Sequence, residues 1–314
     1  MNVSKKKFKD FDALQILTTK TAAIVLVGAG PRIISLRRPG GGELMFQDPA
    51  LFGDSPDPTK AIRRGMWKIM GGNRVWVYRD STSDECEESY AKDNDACTVL
   101  EDADSVTITG AVHPVFRIQR GFKIRENPHG GLDVTHFVRN ASDQMLWSGG
   151  VWAIAVVDPS CEIGVLTGDP GSNWQATPYQ IVWNWAGHRT SQKYVDEQLK
   201  IRDGLVLTLP GDEEGKVMVQ SPLGAIIAQT QGTAFFKLVS WQGDRATDYP
   251  AGCNTAIYSA PGRVFRESET MGPCCSKVEA GQMVSHTERW VLGDAIPWGD
   301  IRTLRHVAQN FKEG

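Results

Sequence analysis

A chain of 314 residues, 41% hydrophobic and 23% charged, with 32 glycines, carries enough apolar material for a core and enough turn residues for many short strands. That balance excludes a disordered chain and favours sheets over a helical bundle. Its 34 basic and 37 acidic side chains leave a formal net charge of −3, so no basic field draws in a phosphate backbone and no nucleic-acid partner is expected.

The opening places Lys5, Lys6 and Lys7 before Lys9-Asp10-Phe11-Asp12, with no apolar run or small-residue cleavage site behind them. No apolar stretch approaches the roughly 20 residues that cross a bilayer. A cytoplasmic address with no membrane partner is the expectation. The next segments, Ala22–Val27 and Arg32–Arg37, read as strands. Between them Gly28-Ala29-Gly30 resembles the start of a dinucleotide-binding turn. Ile33 holds the third glycine's place, however, and the following residues alternate like a strand before Gly40-Gly41-Gly42, so a β-hairpin is expected instead.

Further strands are predicted at Arg74–Tyr78, Ser105–Gly110, Phe116–Arg125, Leu132–Val138, Val151–Val157, Gly204–Leu209 and Lys216–Gln220. The pattern continues through Ala225–Thr230, Phe235–Trp241, Thr255–Ser259 and Met283–Leu292. Ile301, Leu304, Val307 and Phe311 recur at helical spacing, predicting one helix over residues 298–312. Nothing resembling a linker or repeat divides the chain, so residues 1–314 read as a single all-β domain with a short C-terminal helix. Its six cysteines (86, 97, 161, 253, 274 and 275) lack zinc-knuckle spacing and are expected to be reduced; no metal and no cofactor is expected.

Several blocks carry a resemblance. Gly30-Pro31-Arg32-Ile33-Ile34-Ser35-Leu36 with Gly40–Phe46 forms the first. Met66-Trp67-Lys68-Ile69-Met70-Gly71-Gly72-Asn73-Arg74-Val75-Trp76 forms the second. Leu132–Ser142 with Trp147 and Val151–Ile154 follows. Last come Phe235–Val239, Asp248-Tyr249-Pro250, Ile257-Tyr258 and Phe265-Arg266-Glu267-Ser268-Glu269-Thr270-Met271-Gly272-Pro273, closed by Glu279–Gln282 and Thr287–Trp290. Across residues 20–293 these blocks resemble the galactose mutarotase-like, or aldose 1-epimerase-like, superfamily. The resemblance implies a β-supersandwich of large antiparallel sheets and a mono- or oligosaccharide partner.

It also implies chemistry. In aldose 1-epimerases a carboxylate takes the anomeric hydroxyl proton while a histidine protonates the ring oxygen. Glu269 matches the base, and Glu267, two residues away, faces the same side of a strand, where repulsion between the two raises a pKa. Trp152 occupies the place of a catalytic histidine, which leaves His113, His136 and His188 as alternatives, His136 being the candidate taken forward. His129 sits in a hairpin turn, and His286 faces solvent or a partner strand. Sugar contacts are expected from Arg74, Asn73, Trp76, Trp152, Lys237, Tyr249, Tyr258 and Trp183. Gly71 and Gly72 either admit a flat ligand or form a bulge, and Arg74 either forks to hydroxyls or a carboxylate or lies on the surface. Trp174, Tyr179, Trp183 and Trp185, interleaved with Asn173, Gln175, Gln180 and Asn184, read either as a sugar subsite or as a packed hairpin or interface. Two alternatives stay open beside the epimerase: a polysaccharide lyase-like enzyme on the same fold, with Tyr249 or Tyr258 as proton donor and Arg74 neutralising a uronate, and a non-catalytic sugar-binding module.

Overall fold

The computed structural model describes residues 1–53, 70–79, 93–143, 147–168, 179–202, 204–230, 232–242 and 248–313. Cys86 and the expectations on residues 66–69 and 173–175 lie outside them. The chain opens with β1 (Asn2–Phe8), β2 (Phe11–Leu17), β3 (Ala22–Leu26), β4 (Arg32–Arg37), a short α1 (Pro49–Phe52) and β5 (Gly72–Tyr78). Then come β6 (Thr98–Glu101), β7 (Ser105–Thr109), β8 (Ile118–Glu126), β9 (Leu132–Asn140), β10 (Trp147–Val157), β11 (Glu162–Leu166) and β12 (Tyr179–Ile181). A two-stranded ribbon, β13 (Asn184–Trp185) with β14 (His188–Arg189), precedes β15 (Leu199–Arg202), β16 (Leu205–Thr208), β17 (Gly215–Val219), β18 (Ala225–Gln229) and β19 (Thr233–Val239). The chain closes with β20 (Thr255–Ser259), β21 (Arg266–Met271), β22 (Cys275–Val278), β23 (Met283–Asp294) and α2 (Ile301–Glu313).

These strands build two large sheets. The first runs β1-β2-β3-β4-β5-β10-β21-β20-β17-β12, with β22 added on β10; the second runs β15-β16-β11-β18-β19-β23-β9-β8-β7-β6. Alternation explains how they meet. In β5 the side chains of Val75 and Val77, in β17 those of Val217 and Val219, and in β20 that of Ile257 enter one apolar cluster with Ile163, Ile226, Phe235 and Trp290 of the second sheet. Trp76, Trp152, Met218 and Met271, one residue out of phase, turn to the outer face of the first sheet. On the outer face of the second sheet, α2 lays Leu304 and Ala308 against Leu207, Ile227 and Phe236, which is the apolar stripe read from the sequence.

The dinucleotide-like segment is a hairpin, β3 pairing antiparallel with β4 from Ala22 opposite Arg37 onward. β1 escaped the sequence reading because its lysines give no apolar alternation; it is held by seven-residue pairing with β2, and it covers a sheet edge with charge. The five described cysteines are free thiols. No helix among the described residues is long and apolar enough to cross a membrane.

Candidate functional site

Five adjacent strands of the first sheet build the site, and their register fixes who stands beside whom. One row of outer-face positions runs Arg74 (β5), Ile154 (β10), Glu269 (β21), Ala256 (β20) and Met218 (β17). The next row on one side is Gly72, Val156, Glu267, Tyr258 and Lys216, and on the other side Trp76, Trp152 and Met271. β21 alternates as Arg266-Glu267-Ser268-Glu269-Thr270-Met271, so both carboxylates share the outer face while Arg266, Ser268 and Thr270 point between the sheets.

Glu269 is 0% exposed and is held from two sides. The indole Nε1–H of Trp152 donates to its Oε2 at 2.8 Å, and the Lys216 Nζ lies 3.4 Å from the same oxygen. That ammonium stands 4.6 Å from the centre of the Trp152 ring and 5.9 Å from that of Trp185, both within cation–π range. A carboxylate, an ammonium and two indoles therefore meet in a space with little water, where each electrostatic contact is stronger than at the surface. Lys216 was not singled out from the sequence. The available clue was a charge in phase with Met218 inside the otherwise apolar Gly215-Lys216-Val217-Met218-Val219.

The ribbon β13–β14 forms the rim. Ala186 and Gly187 both adopt positive φ, 40° and 87°, which closes a two-residue turn and sets Trp185 opposite His188. Those two rings stack at 5.7 Å, and Trp185 meets Tyr258 edge-on at 5.7 Å. The Tyr258 hydroxyl donates to Glu214 Oε1 at 2.8 Å, the oxygen that also lies 2.8 Å from His188 Nδ1. Burial, then the bond to Glu214, pushes the Tyr258 phenol well above its ordinary range, so it stays protonated.

Arg74 occupies a second, adjoining cluster. Its Nε donates to Asp93 Oδ2 at 3.0 Å, Arg32 reaches the same oxygen at 3.0 Å, and the Arg74 guanidinium lies 4.9 Å above the Trp76 ring. Burial lowers the Arg74 guanidinium to about 9, with Asp93 opposing the fall. For Asp93, burial acts to raise the carboxyl, and the charges of Arg32, Arg74 and Arg120 override it and hold it below the usual range. The Nε of the guanidinium expected to meet a sugar is thus turned to Asp93.

The structure brings Glu269, Glu267, Trp152, Tyr258, Trp76 and Arg74 onto one face. Asn73, Lys237 and His136 stand elsewhere. Asn73 shares the phase of Val75 and points between the sheets, and its amide has no hydrogen-bond partner among the described residues. His136 and Lys237 belong to the second sheet, fully buried around Glu288: His136 Nε2 lies 3.0 Å and Lys237 Nζ 2.9 Å from its carboxylate. His286, expected to face solvent or a partner strand, is instead 1% exposed in the same network, its Nε2 2.9 Å from Thr270 Oγ1. Tyr249 packs in the apolar layer on Trp241, with ring centres 4.5 Å apart, and Trp183 lies exposed at the start of the ribbon. Gly71 and Gly72 approach backbone rather than a flat ligand: a Cβ on Gly71 would stand 1.9 Å from the Phe46 carbonyl oxygen, and one on Gly72 2.3 Å from that of Ile33.

No family model matches the chain, and no curated protein matches it by sequence. Solved structures do. A galactose mutarotase-like protein from Clostridium acetobutylicum superposes with a TM-score of 0.53 at 10% identity, covering 94% of this chain and 99% of that one. The GalM/aldose epimerase homologue from C. elegans gives 0.53 at 9% identity, with the same coverages of 94% and 99%. A TPR-domain containing protein from Parabacteroides distasonis gives 0.56 at 12% identity over 91% of this chain, which spans only 48% of that longer protein. Two sheets in this order, the matching spans of the mutarotase-like structures and the C-terminal helix lead to one statement about kind: the chain has the galactose mutarotase-like fold.

Proposed function

We propose that this protein binds a carbohydrate on the outer face of its first sheet and moves protons at the anomeric centre, as aldose 1-epimerases do, with Glu269 as the base. One observation carries the reading: Glu269 is a buried carboxylate fixed by the Trp152 N–H and an ammonium, among aromatic rings suited to the apolar faces of a sugar. The described solved structures of mutarotase-like and aldose epimerase proteins support the same substrate class. A lyase reading draws less support, because Arg74 is committed to Asp93 and the Tyr258 hydroxyl to Glu214.

The test is one-dimensional proton NMR of freshly dissolved α-glucose and α-galactose. Wild type speeds anomer equilibration, and Glu269→Gln lowers the catalysed rate about 100-fold or more, the usual worth of a positioned base. A wild-type protein that leaves both sugars at their spontaneous rate overturns the reading. Saturation-transfer NMR on the same samples then decides whether this face still binds sugar without acting on it, the non-catalytic alternative.

A further inference from the structure

We propose that Lys216 is the acid of this site, delivering the proton to the sugar ring oxygen that a histidine delivers in aldose 1-epimerases; the proposal rests on the anomeric reading above and names its missing partner. The fold fills the place expected for that histidine with another residue. Trp152 stands there, and its N–H is spent on Glu269. None of the three histidine alternatives replaces it: His113 accepts at Nδ1 from the Val115 and Phe116 N–H groups and stacks on Phe116, His136 lies between the sheets against Glu288, and His188 directs Nδ1 to Glu214 from the ribbon.

Lys216 has the required placement. Its side chain is 5% exposed, its stem runs among the indoles of Trp152 and Trp185, and its Nζ lies 3.4 Å from Glu269. The hydroxyl oxygen and the ring oxygen of a hemiacetal share one carbon, so an acid and a base serving them must stand within a few ångström of each other. Lys216 and Glu269 do. Among the described residues, the ionisable groups near this ammonium include Tyr258, its strand partner, Glu267 opposite Tyr258, and Glu214 with His188 at the rim.

The step balances without any further reactant. Glu269 takes the proton from the anomeric hydroxyl, whose electron pair forms the carbonyl at C1. The bond from C1 to the ring oxygen breaks, and that oxygen takes a proton from the Lys216 ammonium. The products are the open aldehyde, a neutral carboxylic acid and a neutral amine. After rotation about C1–C2, the ring oxygen attacks the other carbonyl face and returns its proton to Lys216, while Glu269 returns its own to the carbonyl oxygen.

The experiment measures anomer equilibration by NMR for wild type, Glu269→Gln, Lys216→Arg, Lys216→Met and Lys216→Ala, with amide dispersion as the check on folding. Arginine keeps the charge but does not release its proton near neutral pH. The expected result is a loss of about 100-fold or more for both Arg and Met, together with recovery of Lys216→Ala by methylammonium or ethylammonium, at rates that follow the acidity of the added amine. If Lys216→Ala does not fold, Lys216→Arg decides alone. A Lys216→Arg protein that equilibrates sugars as fast as wild type, while Glu269→Gln is inactive, overturns the assignment of the acid and leaves the anomeric reading standing. A wild type without activity overturns both.

Discussion

The bond between Trp152 and Glu269 joins a residue that departs from the resembled pattern to one expected to match it. An indole can donate a hydrogen bond but cannot release its proton, so Trp152 can orient the carboxylate but cannot serve as an acid. Replacing it with phenylalanine keeps a ring over Lys216 and removes one bond to a buried charge. The expected cost is about 1.5–3 kcal/mol of folding stability, the usual worth of a hydrogen bond to a charged group, read from urea unfolding at neutral pH. An unchanged midpoint would mean that the remaining contacts, Lys216 among them, satisfy that oxygen. Glu269 and Glu267 were readable as a same-face pair because strand alternation is a local rule. Lys216 was not, since its meaning depends on which strand β17 pairs with, and a lysine in a strand looks the same whether it meets water or a carboxylate.

At the scale of elements, β5 enters the sheet through Gly71 and Gly72, both with positive φ, 92° and 68°, and each pressed against a neighbouring carbonyl. Gly72→Ala adds a methyl 2.3 Å from the Ile33 oxygen at a φ that side chains resist, and should cost at least about 2 kcal/mol. Urea unfolding checks it, and a cost near zero would show that β4 and β5 can part without loss. The strands that the sequence made legible, β3, β4, β9, β19 and β23 among them, are those whose β-branched and aromatic residues alternate into the core. Among those it did not, β1, β6 and β15 are edge strands with mostly exposed side chains, where pairing with a neighbour rather than burial sets the conformation, whereas β2 and β11 lie inside the sheets and are marked out by their strand partners alone. The same distinction holds for the ribbon. Trp183 and Trp185 looked like one aromatic cluster, yet the Ala186-Gly187 turn carries only Trp185 over Lys216.

At the scale of the whole molecule, the two sheets are joined by more than apolar contact. Glu288 of β23 accepts from His136 and Trp290 on Oε2, at 3.0 and 2.7 Å, and from Lys237 at 2.9 Å and the Thr270 hydroxyl on Oε1. Four donors fill the carboxylate's capacity, which offsets much of its desolvation. Lys237 also donates to the Ser268 carbonyl oxygen at 2.8 Å, so the network grips β21 on both sides of Glu269 from beneath. Since the Thr270 proton goes to Glu288, His286 must donate Nε2–H to Thr270, and burial, opposed by Glu288, lowers its imidazole to about 3. This shift has a definite sign. Between its ordinary value of 6.5 and about 3, the unfolded chain binds a proton at His286 that the folded chain does not, so stability falls as pH falls through that window. Burial acts to raise Glu288, but Lys237 and His136 hold it below its ordinary 4.5, so its contribution is lost in the same direction at lower pH. Between pH 7 and pH 5 the His286 contribution therefore acts ahead of that of Glu288, and it is worth up to about 2 kcal/mol at 1.36 kcal/mol per pH unit. Urea unfolding of wild type at the two pH values should show that loss. His286→Gln, whose amide can still donate to Thr270 but cannot titrate, should flatten it; a variant as sensitive to pH as wild type would place the sensitivity in another histidine.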